Sequence, residues 1–422
     1  MIQNESLPTN IAIGNSKLSI PVHITTSDLN SMINKLVEKH LSSPMILDNG
    51  YRTKIQVQKN ITFEANDNKL KYGIPLAIEI FPSAEINSVK ADGVILLEMS
   101  TILNLLNNKI ISKTEYVKHS WIQTPSLKIL GLPIPIGPIA EAFINKFKPS
   151  LCKTIDENIA KSFDANAIKS KLDAFFANPL FTSDDNIIGL YASPSQFAIG
   201  PFSMQQDELI IPVMIDGEAV IAEKKPSDLI NNLNFEIQPS YDNISELQIQ
   251  SRVPMQYIEQ LCREGVENQS YGSGLTKITV QKIKLNGYKE TLQVRLHTLG
   301  AYDGELELSF IPRFNSSKKL IQLEEFRIAS ISGKKLDKTI FNLVQGIIQN
   351  KLKSTMEDFF NATIQDYVKS ATTLLEGKEI MQTYTISGKL LDYNISNFAI
   401  SDSRMYFNLV SKFSGQLRVK EF

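Results

Sequence analysis

Two segments of this chain match each other in the same order, and this internal repeat constrains the fold more than any other feature of the sequence. Residues 16–24 (SKLSIPVHI) and 245–253 (SELQIQSRV) align without a gap. Each segment is predicted to form an alternating strand that turns into a short amphipathic helix. The apolar positions Leu18, Ile20, Ile24, Leu29 and Met32 fall on Leu247, Ile249, Val253, Ile258 and Leu261.

The two segments also end alike. Phe197-Ala198-Ile199 and Phe398-Ala399-Ile400 each precede an alternating strand, at residues 209–215 and 405–410. Single matches of this kind arise by chance in an isoleucine-rich chain, but the same order at both ends of both segments favours a duplication. A chain of 422 residues also exceeds what one hydrophobic core usually organises.

We therefore predict two domains, 1–225 and 226–422, joined by a linker rich in charge, proline and asparagine that starts near Glu223. In each half, strands cluster before and after one long helical stretch, which favours an antiparallel α+β fold over a parallel sheet that alternates with helices. Strands are predicted where β-branched and aromatic residues alternate with polar ones, as at 53–57, 76–80, 94–99, 276–283, 291–296 and 305–310.

The longest helical stretch runs from about residue 333 to 376. Its apolar residues keep to one face, it contains no proline, and Gly377 can end it. At 1.5 Å per residue, about 40 residues span about 60 Å, longer than a compact domain needs. Such a helix requires an elongated layer of strands around it.

The first half is predicted to contain a corresponding helix from about residue 138 to 177. Pro138 can open it, apolar residues recur every four positions, and Pro149 is expected to kink it. A coiled coil is the alternative for both helices. However, their apolar stripes are broader than a strict a/d seam, and Pro149 and Gly346 interrupt them.

Composition and motifs argue against several functions. Lys plus Arg (44) nearly cancel Asp plus Glu (45), which leaves no positive excess for a nucleic-acid partner. The four histidines lack metal-ligand spacing and Cys152 and Cys262 lie far apart, so we expect no metal site and no disulfide framework. Residues 271–274 (YGSG) lack a phosphate-binding pattern, and no nucleophile motif is present. The chain is therefore not expected to be an enzyme or to need a cofactor.

No signal or membrane-spanning segment can be read from this sequence. The amino terminus lacks a basic region followed by an apolar one, and no stretch approaches the roughly 20 consecutive, predominantly apolar residues of a membrane-spanning helix. Residues 130–138 (LGLPIPIGP) are predicted to be an extended strand that leads into the first long helix. The alternative for them is an exposed apolar tip in peripheral contact with a membrane.

Several short sequences in both halves carry a family resemblance. In the second half they are residues 247–258, 279–280, 302–304, 311–314 and 321–326; in the first half they are Trp121, Pro125, 130–131, 178–179, 193–194 and 199–201. With their order of elements, the chain resembles the TULIP superfamily of tubular lipid-binding proteins, which includes bactericidal/permeability-increasing protein. More closely, it is similar to the bacterial domain-of-unknown-function family 4403, which is grouped with that superfamily.

The resemblance implies an elongated α+β molecule of two tandem TULIP-like modules, each a long amphipathic helix wrapped by a highly curved antiparallel sheet. Relatives of this kind have no established activity and generally lie outside the bacterial cytoplasm. We therefore expect a periplasmic or envelope-associated protein, although a cytoplasmic location stays open. We favour a monomer.

A lipid ligand follows from the expected geometry, because a strongly curved sheet cannot fill its whole concave side with side chains. Burying one methylene contributes about 0.8 kcal/mol, so an acyl chain of about 16 carbons could gain roughly 10 kcal/mol before ordering costs. We predict a carrier or scaffold for a lipid or other elongated apolar ligand. The alternatives are helix faces that simply pack the core, and a structural or protein-interaction protein that keeps the fold without lipid. The predicted groove-lining residues are Phe147, Leu151, Ile155, Ile159, Phe163, Ile347, Leu352, Met356, Phe359 and Phe360.

Overall fold

A computed structural model gives the fold of the chain. It describes residues 13–41, 45–46, 50–58, 60–82, 90–106, 109–129, 132–162, 165–183, 186–229, 233–333, 338–380 and 384–419.

The described residues form an α+β fold in which antiparallel strands dominate. The helices in this part of the chain are α1 Thr26–Leu41, α2 Gly137–Ser162, α3 Ala165–Ala177, α4 Met255–Val266 and α5 Lys338–Leu375. The accessible surface of 22990 Å² is well above the value of about 16,000 Å² expected for a compact monomer of this mass. This excess fits an elongated shape.

Strands fill most of the chain between the helices. In the first half they are β1 Asn15–Thr25, β2 Met45–Ile46, β3 Arg52–Val57, β4 Thr62–Asp67, β5 Lys69–Phe81, β6 Ala91–Leu106, β7 Lys109–Ile129, β8 Leu132–Pro135, β9 Phe181–Thr182, β10 Gly189–Ile199, β11 Phe202–Gln205 and β12 Glu208–Ala222. In the second half they are β13 Asn234–Ile237, β14 Ile244–Pro254, β15 Ser270–Tyr271, β16 Ile278–Tyr288, β17 Thr291–Gly300, β18 Gly304–Asn315, β19 Leu320–Gly333, β20 Glu376–Ile380, β21 Tyr384–Ile400 and β22 Arg404–Val419.

Within the described ranges the strands make two sheets. The smaller sheet contains β15 to β19 and belongs to the second half alone. The larger one joins the first-half strands to β13, β14 and β20 to β22, so the two halves share one sheet. Neighbouring hairpin strands pair antiparallel, as expected from strands that cluster instead of alternating with helices.

The strands at the junction of the two halves pair in corresponding registers. β1 runs antiparallel along β12 and places Ile24 opposite Leu209. β14 runs antiparallel along β22 and places Val253 opposite Met405. The sequence alignment had matched Ile24 with Val253 and the strand starting at Leu209 with that starting at Met405. One pairing therefore maps onto the other.

The two short helices begin with corresponding hydrogen bonds. Thr26 N, at the start of α1, donates to Asp207 O over 2.8 Å. Met255 N, at the start of α4, donates to Ser403 O over 2.7 Å. Thr26 and Met255 directly follow β1 and β14, and the sequence match pairs them with each other. Asp207 and Ser403 directly precede β12 and β22 and lie at the spacing that pairs Leu209 with Met405. The same local structure thus occurs twice.

Two large apolar clusters lie against the longer helices. One packs residues between Val37 and Ile155 beneath α2 and the first-half strands. The other packs residues between Ala219 and Leu409 around α4, α5 and the five-stranded sheet. A smaller cluster that includes Ile24 and Phe202 lies near the junction.

The helix boundaries differ in part from the prediction. The predicted start of the second long helix at Gly333 is wrong, because Gly333 is the last residue of β19 and lies opposite Gly304 in the ladder with β18. The helix ends at Leu375, and Gly377 has a φ of 89°, a conformation suited to a glycine stop. In the first half, α2 runs without interruption through Pro149.

Residues 132–135 form the extended strand that was predicted before the first long helix. This strand, β8, pairs antiparallel with β7 and places Ile134 opposite Leu127. Ile136, next to the helix start, is buried, while Ile134 is 44% exposed. Leu130 and Gly131 lie outside the described residues.

Candidate functional site

The apolar face of α2 is covered by first-half strands. Phe147 and Leu151 are completely buried, Ile155 is nearly so, and Ile159 is partly buried. α2 packs mainly along β7. The structure therefore places these four predicted groove residues on one enclosed helix face. Phe163, the fifth, lies outside the described residues.

The corresponding face of α5 is described over its second part. Met356 and Phe360 are buried in the cluster that also holds the five-stranded sheet. The side chains of Ile347, Leu352 and Phe359 lie outside the part that the structure describes. Contact of any of these residues with a ligand stays a prediction.

One free edge of the five-stranded sheet is bonded to polar side chains of α5. Among the described strands, β19 pairs with β18 alone. On its other edge, the backbone N–H groups of Ile321 and Leu323 donate to Asn361 Oδ1 and Glu357 Oε1, both over 2.7 Å. Asn361 Nδ2 also donates to Ile321 O over 3.1 Å. Leaving a buried N–H without a partner costs about 1–3 kcal/mol, so these side chains stabilise the seam between strand and helix.

The opposite edge of this sheet is bonded to α4 in the same way. Ile283 N and Leu285 N, on β16, donate over 3.0 Å to Glu267 Oε1 and Glu259 Oε2. α4 and α5 also contact each other. The sheet and the helix pair therefore form a closed unit, with apolar side chains inside and a polar seam along each edge.

The first half contains matching seams. Thr114 N, on the edge of β7, donates to Asp156 Oδ2 of α2 over 3.1 Å. Ile61 N, just before β4, donates to Asn30 Oδ1 of α1 over 2.9 Å. In each half, seam residues thus come both from the short helix and from a longer helix.

Asp156 also ends a buried chain of hydroxyl groups beneath α2. Tyr72 Oη lies 3.0 Å from Thr101 Oγ1, which lies 2.8 Å from Thr114 Oγ1. The hydroxyls of Thr114 and Ser112 then donate to Asp156 Oδ1 over 2.7 and 2.8 Å. Burial raises the pKa of Tyr72 well above its ordinary value, so its hydroxyl stays neutral. This series of hydrogen-bonded hydroxyl groups fixes α2 on the sheet, and none of its hydroxyls is poised as a nucleophile.

A second polar group holds the start of α2. Glu141 Oε1 accepts from Trp121 Nε1 over 2.9 Å and lies 2.9 Å from His119 Nε2, while His119 Nδ1 lies 2.6 Å from Tyr116 Oη. Burial alone would raise the pKa of Glu141, but the hydrogen bonds from Trp121 and His119 bring that pKa below its ordinary value. Lys148 Nζ lies 4.4 Å from the centre of the Tyr116 ring. Glu141 is therefore held as a carboxylate that joins α2 to β7.

An open depression of about 680 Å³ lies beside the turn that follows β15. It contains none of the predicted groove residues and is lined by both polar and apolar groups. Leu275, at its rim, is 96% exposed. Its lining is Gly274, Leu275, Lys277, Thr279, Gln281, Leu299, Gly300 and Ala301.

In the part of the chain that the structure describes, no three His, Cys, Asp or Glu side chains converge as metal ligands would. Cys152 and Cys262 are both free thiols. Burial raises the pKa of Cys262 to about 12 and also raises that of Cys152, so neither thiol is activated as a nucleophile. Among the described helices, none has the length and hydrophobicity needed to cross a bilayer.

The sequence analysis missed the seam residues. Each polar seam residue on a longer helix directly follows a buried apolar residue, as in Ile155-Asp156, Met356-Glu357 and Phe360-Asn361. A polar residue at the margin of a helical apolar stripe was the available signal. The backbone group that bonds to each seam residue could not be predicted from the sequence, because the bonded strand edge lies about 35–45 residues earlier in the chain.

Comparison with known proteins places the chain in a family without an assigned function. Residues 14–420 match the family described as "Domain of unknown function (DUF4403)". No curated protein gives a significant match. Similar solved structures include lipopolysaccharide binding protein, at 10% identity over 98% of this chain and 100% of that chain, with a TM-score of 0.32. P47 from Clostridium botulinum A2 matches at 11% identity over 93% of this chain and 96% of that chain, with a TM-score of 0.26. P47 of Clostridium botulinum E1 matches at 11% identity over 93% and 98%, with a TM-score of 0.25.

Proposed function

This chain belongs to the DUF4403 family, and we propose that it acts without catalysis, as a carrier or scaffold that holds a lipid or another elongated apolar ligand between helix and sheet. The observation that carries the proposal is the closed unit of helix and sheet. Polar side chains of the helices bond the two edges of the five-stranded sheet, and among the described residues a large apolar cluster fills the space between the sheet and α4 and α5. Such an interior attracts hydrocarbon.

We further propose that the two halves are tandem modules of the same origin. Two of the hydrogen bonds that join β1 to β14 support this, because Ser19 N donates to Ser245 Oγ over 2.9 Å and Gln248 N donates to Ser16 Oγ over 3.0 Å. The sequence match pairs Ser16 with Ser245 and Ser19 with Gln248. Each bond is therefore the image of the other about a local two-fold axis.

The seams support the same relation. Asn30 of α1 and Glu259 of α4 are matched by the alignment that pairs Ile24 with Val253, and both accept a hydrogen bond from a backbone N–H group in or next to a strand. Asp156 of α2 and Glu357 of α5 also accept equivalent bonds. A duplicated unit would keep such contacts, because loss of either leaves a backbone donor without a partner.

The lengths of the helices suit an elongated ligand. At 1.5 Å per residue, the 26 residues of α2 and the 38 residues of α5 extend about 39 and 57 Å. An acyl chain that lies along either helix would contact apolar side chains over its whole length. The predicted contacts are the groove residues named above, and a bacterial envelope is the proposed location.

A second candidate is a structural or protein-interaction role without ligand. Complete burial of Phe147 and Leu151 favours it, because these positions on α2 are already covered by protein. Under this alternative the apolar clusters serve only as cores, and the purified protein contains no lipid.

Lipid extraction from natively purified full-length chain, followed by mass spectrometry, separates the two candidates. We expect retained lipid, and we expect Ile159→Trp to reduce it, because Ile159 lies partly buried between two apolar clusters where a larger ring would occupy the space of a ligand. Ile122→Trp is the matched control, since Ile122 is 65% exposed on β7. Protein without extractable lipid that also takes up no fluorescent fatty acid would contradict the lipid proposal.

A further inference from the structure

The described ends of the hairpin between β6 and β7, residues 104–106 and 109–111, carry exposed aliphatic side chains and are called here the apolar tip. Leu105, Leu106 and Ile111 are 38%, 57% and 37% exposed. The ladder between β5 and β6 ends at Lys69 opposite Ile102, whereas β6 and β7 continue to pair as far as Leu106 opposite Lys109. The apolar tip therefore extends beyond the neighbouring strand.

An exposed lysine lies beside these aliphatic side chains. Residues 104–113 contain Lys109 and Lys113 and no acidic residue. Lys109 is exposed, whereas Lys113 lies 2.6 Å from Glu115, and Ser112 donates to Asp156 of α2. Aliphatic residues at a tip with an exposed lysine beside them match a lipid surface that has an apolar interior and anionic headgroups.

The last described hairpin before the long helix of the second half has a polar turn. β18 and β19 form this hairpin, and the turn contains Asn315, Ser316 and Lys319. In the first half, the short strand β8 lies between β7 and α2. Ser316 Oγ donates to Asn394 over 2.8 Å, and Lys319 Nζ lies 2.6 Å from Asp392 Oδ1, both on β21. A hairpin before a long helix can therefore fold with a polar turn. The exposed leucines of the β6–β7 hairpin are not required for folding, which suggests that they serve another role.

We propose that the apolar tip docks this protein on a bilayer with anionic headgroups, with Leu105, Leu106 and Ile111 entering the interface and Lys109 contacting the headgroups. Exposed aliphatic side chains in water gain free energy by entering the acyl boundary, and nearby lysines gain from the negative surface potential. Docking does not depend on a ligand between helix and sheet. A lack of vesicle binding would therefore contradict docking without contradicting the proposed lipid-holding function.

Co-sedimentation of the full chain with vesicles tests the proposal. The vesicles contain either phosphatidylcholine alone or phosphatidylcholine mixed with phosphatidylglycerol. We expect binding to the anionic vesicles, weakened by salt and reduced at least about tenfold in the double variant Leu105→Asp, Leu106→Asp. Lys109→Gln should weaken binding about fivefold.

Ile122→Asp is the matched control, because Ile122 lies on the same strand, is 65% exposed and is separated from the apolar tip by about 40 Å of extended chain. It should bind anionic vesicles like the unaltered protein, and all variants should keep the thermal unfolding midpoint and the extractable lipid.

Several results would overturn the proposal. They are equal binding to both vesicle types, equal loss in the tip and control variants, or no binding by the unaltered chain. A tip variant that keeps vesicle binding but changes the oligomeric state in gel filtration would instead identify the apolar tip as a contact between protein copies.

Discussion

Removal of the Asp156 carboxylate should detach the edge of β7 from α2. Asp156 accepts three hydrogen bonds, from Ser112 Oγ, Thr114 N and Thr114 Oγ1, over 2.8, 3.1 and 2.7 Å. Thr114 is 7% exposed, so water can replace few of these bonds after Asp156→Ala. Hydrogen bonds to a charged group contribute about 1.5–3 kcal/mol each and are not additive, and part of the loss is recovered when Ser112 meets water. We expect a loss of about 3 kcal/mol in the free energy of unfolding.

Urea unfolding followed by circular dichroism measures this loss, and hydrogen exchange at the Thr114 amide locates it. About 3 kcal/mol corresponds to a fall of roughly 6–12 °C in the midpoint of a unit of about 200 residues. Asp156→Asn keeps one acceptor oxygen and should cost about 1 kcal/mol, with slower exchange at Thr114 than in the alanine variant.

The control is Glu157→Ala, one residue further along α2. Glu157 is 55% exposed and lies 3.7 Å from Lys153, a surface pair whose loss should cost less than about 0.5 kcal/mol. If Asp156→Ala cost no more than Glu157→Ala, or left exchange at the Thr114 amide unchanged, the seam would not stabilise the packing of α2, and the reasoning would be refuted.

Three further outcomes follow from the described contacts. Phe147→Ala should lower the free energy of unfolding by about 3–5 kcal/mol in urea titration, because it opens a cavity in a completely buried site; a loss below about 1 kcal/mol would show that the site is loosely packed. The folded pKa of Glu141 lies below its ordinary value of 4.5, so its stabilising contribution is present above that value and is lost as pH falls through the folded pKa. Fluorescence of Trp121, the single tryptophan, should change in that acidic range, and Glu141→Gln should abolish the change; an identical titration in both proteins would disprove the link. With its pKa raised to about 12, Cys262 should not react with a thiol reagent near neutral pH until the protein is unfolded, and rapid labelling of native protein at this residue would contradict its burial.

The alternation and helix periodicity in the sequence predicted the main elements where the local signal was strong. The strand and helix at 16–32 and 245–261, the long helix ending before Gly377 and the extended strand before α2 all follow from local patterns. The start of α5 was predicted at about Gly333, which the structure places at the end of β19, and the described helix begins at Lys338. The ladder with β18 decides in favour of a strand there.

The candidate site was predictable only as a set of helix faces. The four-residue spacing put Phe147, Leu151 and Ile155 on one side of α2, and the structure places them together. The seam residues Asp156 and Glu357 were missed, because their bonding partners are backbone N–H groups of strands far away in sequence. Backbone donors have no sequence signature.

By itself, the sequence determined the periodicities and the lack of positive excess, since each is a property of neighbouring residues or of composition. The tertiary structure alone decided which strand edges meet which helices and that the halves share one sheet, through the pairing of β14 with β1 and β12 and of β22 with β1. It also decided that the tip at Leu105 and Leu106 extends into solvent while the turn between β18 and β19 is tied to β21. Strand edges form hydrogen bonds with whatever backbone or side chain the fold brings alongside. Their partners are set by long-range packing and cannot be read from local pattern.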